Sequence, residues 1–288
     1  MTNGRGTAYS LGHIKHKTHS KEFYDYSFQQ MKYDIKANIQ FVVGHSGREK
    51  VHYIAHSEGG ATMMAALADP NRTVPRYIEE HLETFYAFAP VVYLKNTKMG
   101  CLLFLGQFIF PIVRAFCHLF GLYAMKPRRQ ENTWIKEKFF RIIFGLMKPK
   151  RKMVNDPKIL EKFAKRCTPS FGVCFQQLAH FLQNYSKKGD IQRFKKFDYG
   201  RKKNIKKYGT AETPAYDLSL ISAKIVLYYA EHDDFIPLKS VELLEKALEN
   251  ADVKLMFKKG WDHCSFLYAK GLDEFYRNLI PKRVVIGN

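Results

Sequence analysis

Residues 51–69, VHYIAHSEGGATMMAALAD, restrict the possible folds more than any other stretch of the chain. The apolar run at 51–55 reads as a buried strand, residues 58–68 read as a helix of small residues, and no loop separates them. A strand that passes through one sharp turn into a close-packed helix is half of a βαβ unit. The pattern recurs. TFYAFAP (84–90), KIVLYYA (224–230) and VKLMF (253–257) are strand-like, the first ended by proline. Helical spacing places Ile35, Ile39, Val42 and Val43 on one face of 33–47, with a stop at Gly44. Two more helices are expected at 238–250 and within 266–280. Strands alternating with helices predict the α/β class with a mostly parallel sheet.

The middle of the chain breaks the alternation. Residues 95–211 are rich in Phe, Leu and Lys/Arg and read as helical. The expected organisation is an α/β core from 1–94 and 212–288 with a helical cap inserted at 95–211. Such an insertion sits over the carboxyl ends of the strands, where ligands bind. Within it, residues 99–125 are long enough for a bilayer, yet Pro111, Arg114 and His118 interrupt the run. The reading is a pair of amphipathic helices broken around Pro111, with an apolar surface open to lipid or a partner.

A net charge of +20 admits nucleic acid, an anionic membrane or a solvated basic face. No nucleic-acid-binding motif accompanies it, so no nucleic-acid partner is expected. The basic run SKKGDIQRFKKFDYGRKKNIKKYG (186–209) reads first as a solvated face of the cap, and second as a membrane-surface patch. The five cysteines (101, 117, 167, 174, 264) form no CxxC pair, which argues against a metal site, and Cys167 and Cys174 are near enough in sequence to bond. The first residues, MTNGRGTAYSLGHIKHKTHSKEF, lack the apolar segment of a signal peptide.

The chemistry centres on Ser57. A serine on a tight strand-to-helix turn is held exposed, with small residues around it because strand and helix nearly touch. Gly59 and Gly60 supply that smallness on the helix side and Ala55 on the strand side. The turn also aims the amide of Glu58, at the positive end of the helix, toward a developing oxyanion. A serine nucleophile needs a base, and the base needs an orienting acid. YYAEHDDFIP after the 224–230 strand offers Asp233, with Asp234 as a competitor, and KKGWDHCSF after the 253–257 strand offers His263. Serine, acid and histidine thus fall in the order this chemistry uses, each after its own strand.

These residues lie within a longer likeness. NGRGTAYSLGH (3–13), the stretch from FYDYSFQQ to HSEGG, FYAFAPVVYLKNTK, TPSFGVCFQQLAHFLQN and FKKFDYGRKKNIKKYGTAETPAYDLSLI resemble the acid lipase family of α/β-hydrolases, the gastric and lysosomal type. The resemblance implies hydrolysis of lipid esters, of the triacylglycerol or sterol ester type, by Ser57, Asp233 and His263, without cofactor or metal. It implies a cap that meets the lipid interface, and relatives that are secreted or lysosomal. Ala55 replaces the family's usual glycine, and Ser265 stands where an acidic residue commonly follows the histidine. Family members carry sequence ahead of the NSRGN-type segment, including the first strands and a loop giving a second oxyanion amide. Since this chain starts at that segment, the expected fold is a partial α/β-hydrolase lacking its first strands. Its elbow strand would have an open edge, available for self-association or a partner. One missing oxyanion donor costs on the order of 10²–10³ in rate. The alternatives are therefore a catalytically weak or inactive lipase-like remnant, and a basic membrane-surface-binding protein on this scaffold.

Overall fold

The computed structural model describes residues 2–94, 97–125, 172–185 and 194–279. The first helix, α1 (Phe28–Ser46), begins earlier and ends later than its periodicity predicts. Ser27 and Gln30 close a capping box at its start, with the Ser27 amide donating to Gln30 Oε1 at 2.8 Å. Its stop is Gly47, at φ 65°, and not Gly44. A glycine inside a helix costs only about 1 kcal/mol relative to alanine, whereas the left-handed turn at Gly47 redirects the chain. Phe28, Ile35 and Ile39 are the residues α1 buries.

Strand β1 (Val51–His56) leads through Ser57 into α2 (Glu58–Leu67); α3 (Thr73–His81) and β2 (Leu82–Phe88) follow. Every residue of α2 from Gly60 to Leu67 is buried, beneath α1 and α3 and against the sheet. Its Ala and Gly positions let three neighbours approach at once. Met63, Met64 and Leu67, fully buried, each stabilise the fold by about 1.5–3 kcal/mol.

Beyond β2 comes α4 (Gly100–Leu119), a single helix where two were expected, since it runs through Pro111 without a break. By length and composition it could cross a membrane. Its one buried residue is Leu103. Gln107 points inward and donates to the carbonyls of Leu182 and Tyr185 at 2.8 and 2.5 Å. A short ribbon pairs β3 (Ala124–Met125) with β4 (Val173–Cys174), and α5 (Phe175–Gln183) and α6 (Arg201–Tyr208) complete the described part of this region. Cys174 is a free thiol, so it is not bonded to Cys167, which lies outside the described residues. It donates to the Tyr26 carbonyl and its sulfur accepts the Gln177 amide at the start of α5.

The chain then supplies β5 (Lys224–Ala230), α7 (Leu238–Ala247) and β6 (Asp252–Lys258). The closing helix is split into α8 (Ser265–Tyr268) and α9 (Leu272–Leu279). The sheet is parallel throughout, in the order β1-β2-β5-β6. Its second, third and fourth strands match the sequence reading closely. The first differs in burial: among the described residues β1 pairs with β2 alone, Ala55 is its one buried residue, and Ile54 is 39% exposed.

Candidate active site

Parallel strands deliver the ends of β1, β5 and β6 to the same edge of the sheet, and the sequence-predicted residues sit just past those ends. Ser57 occupies the turn between β1 and α2 with φ 55° and ψ −117°. A positive φ is strained for a non-glycine residue, and here surrounding hydrogen bonds fix it. The Ser57 amide donates to the Phe88 carbonyl at 2.9 Å, and its carbonyl accepts from the amides of Gly60, Ala61 and Val91. The crowding explains the small residues. A Cβ on Gly60 would stand 2.7 Å from Pro90 Cβ, and one on Gly59 would stand 3.4 Å from Ala55 Cβ. At Gly59 such a contact would be ordinary, so Gly60, close against Pro90, is the position that cannot carry a side chain.

Asp233 lies in the loop after β5. Its Oδ1 accepts the amides of Phe235 and Ile236, both at 2.8 Å, and its side chain is inaccessible to solvent. Its Oδ2 stands 2.8 Å from His263 Nδ1, and His263 Nε2 stands 2.8 Å from Ser57 Oγ. The competing Asp234 turns away, pairing with Lys98 at 2.7 Å on the surface. The three candidates the sequence singles out are thus brought into one hydrogen-bonded line, 206 residues apart in sequence between serine and histidine. With Asp233 anionic, His263 Nδ1 holds the proton and Nε2 is left as an acceptor for the serine hydroxyl.

The loop bearing His263 is set by its neighbours. Asp262 Oδ1 accepts the amides of Cys264 and Ser265 at 2.9 Å, and the Asp262 amide donates to Ser265 Oγ at 3.0 Å. Ser265, the departure from the acid lipase pattern, is therefore half of a reciprocal turn that holds the histidine. Phe235 covers one side of the imidazole, with ring centroids 5.0 Å apart.

Two side chains escape sequence reasoning, those of His56 and Glu58. His56 Nε2–H donates to the His263 carbonyl at 2.7 Å, tying the elbow to the histidine loop across 207 residues. Burial, and then the neighbouring His263, pushes its imidazole down to about 3. Glu58 begins α2, where its amide lacks an earlier turn to bond. Its side chain is half-buried, accepting from Gln177 Nε2 of α5 at 2.6 Å, and desolvation raises its pKa. The sequence signal for His56 is its place beside the serine. Glu58 and Gln177 lie 119 residues apart and nothing local links them.

No family model matches the chain. It is similar to the lipase lipl-1 of Caenorhabditis elegans, 29% identical over 247 residues, covering 81% of this chain and 58% of the nematode protein. It is 26% identical to the gastric triacylglycerol lipase of Bos taurus, covering 97% and 70%. A solved soluble variant of the monoglyceride lipase of Saccharomyces cerevisiae, bound to a substrate analogue, superposes with a TM-score of 0.54 at 12% identity, covering 96% and 74%. The chain has the α/β-hydrolase fold and is similar over most of its length to gastric-type acid lipases, while spanning less than two thirds of the nematode lipase.

Proposed function

We propose that this α/β-hydrolase, akin to the acid lipases, cleaves carboxylic esters of lipids, of the triacylglycerol or sterol ester type. Ser57 Oγ attacks the ester carbonyl carbon while its proton passes to His263 Nε2. Asp233 stabilises the imidazolium through Nδ1–H, and the Glu58 amide receives the oxyanion. Collapse of the tetrahedral intermediate breaks the ester C–O bond, and His263 returns the proton to the departing alcohol. Water, deprotonated by the same histidine, then releases the fatty acid from Ser57. In this reading the insertion at 95–211 is the cap.

The observation that carries this reading is the pair of 2.8 Å hydrogen bonds joining Ser57, His263 and Asp233. Support comes from the strained serine and from Asp233 having both oxygens occupied. The test is hydrolysis of p-nitrophenyl butyrate and palmitate, then of triacylglycerol and cholesteryl ester emulsions, by wild type and Ser57→Ala. Wild type should cleave at least one ester while the variant falls to background. Equal rates would leave an inactive lipase-like scaffold.

A further inference from the structure

Helix α4 is built inside out. Its strongly polar side chains, Gln107, Arg114 and His118, all turn toward the protein, beside apolar Leu103, Phe104 and Phe110. Gln107 bonds carbonyls of the α5 region, Arg114 lies over the Phe197 ring at 5.7 Å, and His118 packs against Tyr123 at 5.0 Å. The opposite face is apolar and open: Ile112 is 73% exposed and Leu119 83%, and Leu105, Phe108, Ile109 and Phe116 are exposed as well. A water-soluble helix has the reverse arrangement. Leaving this much hydrocarbon in water is unfavourable by tens of calories per Å².

Two of the inward polar residues, Arg114 and His118, border a cavity of about 730 Å³ between the end of α4, the 21–25 segment and α6. Lys21, Arg114, Lys203, Lys206 and Lys207 line it, against Asp25 and Asp198. Asp198 is occupied, accepting from the Gly200 amide and Asn204 Nδ2. None of the five cations has a carboxylate within ion-pair distance among the described residues. Arg114 and Lys207 lie instead over aromatic faces, Lys207 at 4.3 Å from the Tyr199 centroid. Gln176 Nε2, also in the lining, is buried with no hydrogen-bond acceptor among the described residues. Asp25 acts electrostatically on Arg114, yet five cations against two carboxylates leave the cavity with a positive excess and an unused N–H donor, the complement of an anion's oxygens.

We propose that this cavity is a binding site for the phosphate-bearing headgroup of an anionic phospholipid, distinct from the Ser57 site, and that the exposed apolar residues at the same end of α4, Phe116, Leu119 and Phe120, take the adjoining hydrocarbon. A soluble anion accounts for the cations and leaves the apolar face unexplained. A neutral lipid accounts for the face and leaves the cations mutually repelling. An anionic lipid satisfies both sides of one helix.

The experiment is co-sedimentation of the full chain with vesicles of phosphatidylcholine, with and without phosphatidylserine, at low and high salt. Variants are Lys203→Glu/Lys206→Glu/Lys207→Glu on the exposed face of α6, and Lys239→Glu/Lys246→Glu/Lys254→Glu as a charge-matched control. At about 1 kcal/mol, or roughly fivefold, per lysine near an anionic surface, losing the three α6 lysines should weaken binding to phosphatidylserine vesicles by at least about a hundredfold. Binding should be salt-sensitive, much weaker to phosphatidylcholine alone, and nearly kept by the control. Ser57→Ala should bind like wild type, so loss of ester hydrolysis leaves this result untouched. Equal losses in both triple variants would overturn the proposal in favour of diffuse charge. So would binding that ignores phosphatidylserine. Tight binding of inorganic phosphate or glycerophosphoserine by a protein that ignores vesicles would overturn the lipid as occupant.

Discussion

Replacing Asp233 by asparagine probes the arrangement most sharply, because the structure fixes which way the new amide points. Asp233 Oδ1 accepts two backbone amides, from Phe235 and Ile236, each at 2.8 Å. An asparagine must keep its carbonyl oxygen there, since turning the NH₂ toward two N–H donors leaves three buried donors without acceptors. The NH₂ then replaces Oδ2 and faces His263 Nδ1, where the carboxylate stood at 2.8 Å. Nδ1 becomes the acceptor, the ring proton moves to Nε2, and Nε2 can no longer take the Ser57 proton. A wrong tautomer of this kind lowers kcat by about 10⁴, or about 5.4 kcal/mol of transition-state stabilisation at 1.36 kcal/mol per tenfold. The packing is unchanged in shape, so thermal stability should move far less than activity. The assay is kcat on a short-chain p-nitrophenyl ester, with the melting temperature measured beside it. Asp234→Asn is the control. It loses only the pair with Lys98, both partners partly exposed, worth about 0–1 kcal/mol, and should leave kcat within about twofold. An Asp233→Asn loss below about tenfold, or an equal loss for Asp234→Asn, would refute the reasoning.

Other outcomes follow from the same geometry. Gly60→Ala puts a Cβ 2.7 Å from Pro90 Cβ and should destabilise by about 1–3 kcal/mol, read in a denaturant titration. His56 is held down to about 3, below its unfolded value of 6.5. Its contribution to stability is therefore present above pH 6.5 and is lost as pH falls toward 3. The loss should approach about 1.4 kcal/mol per pH unit, and melting temperatures of His56→Gln should fall less steeply across that window. Glu58 has its pKa raised by burial, so its effect has the opposite sign: stability is complete below the unfolded value of 4.5 and is lost as pH rises through the folded one. Glu58→Gln, which keeps an acceptor for Gln177, should flatten that loss in a melting series above pH 4.5.

Much of this protein can be read from short-range pattern alone. Residues 224–230 form a strand over that same span because an apolar run bounded by turn residues has few other options. The order of Ser57, Asp233 and His263 is legible because a parallel sheet brings the ends of its strands to one edge, so positions after strands become neighbours. The sequence also shows that the turn at Ser57 must be tight, through Gly59 and Gly60. Spacing from the strand end favours Asp233 over Asp234, without showing what holds the two acids apart. That depends on the Asp233 loop wrapping its own carboxylate and on Lys98 drawing Asp234 outward. Nor does the sequence show that α1 passes Gly44 or that α4 passes Pro111, since a local breaker can be outweighed by the packing of the whole helix. The link from Glu58 to Gln177 and the inverted faces of α4 are decided only by tertiary contact. Their partners are distant in sequence, and periodicity records that a face is apolar without recording whether it turns toward the protein or away from it.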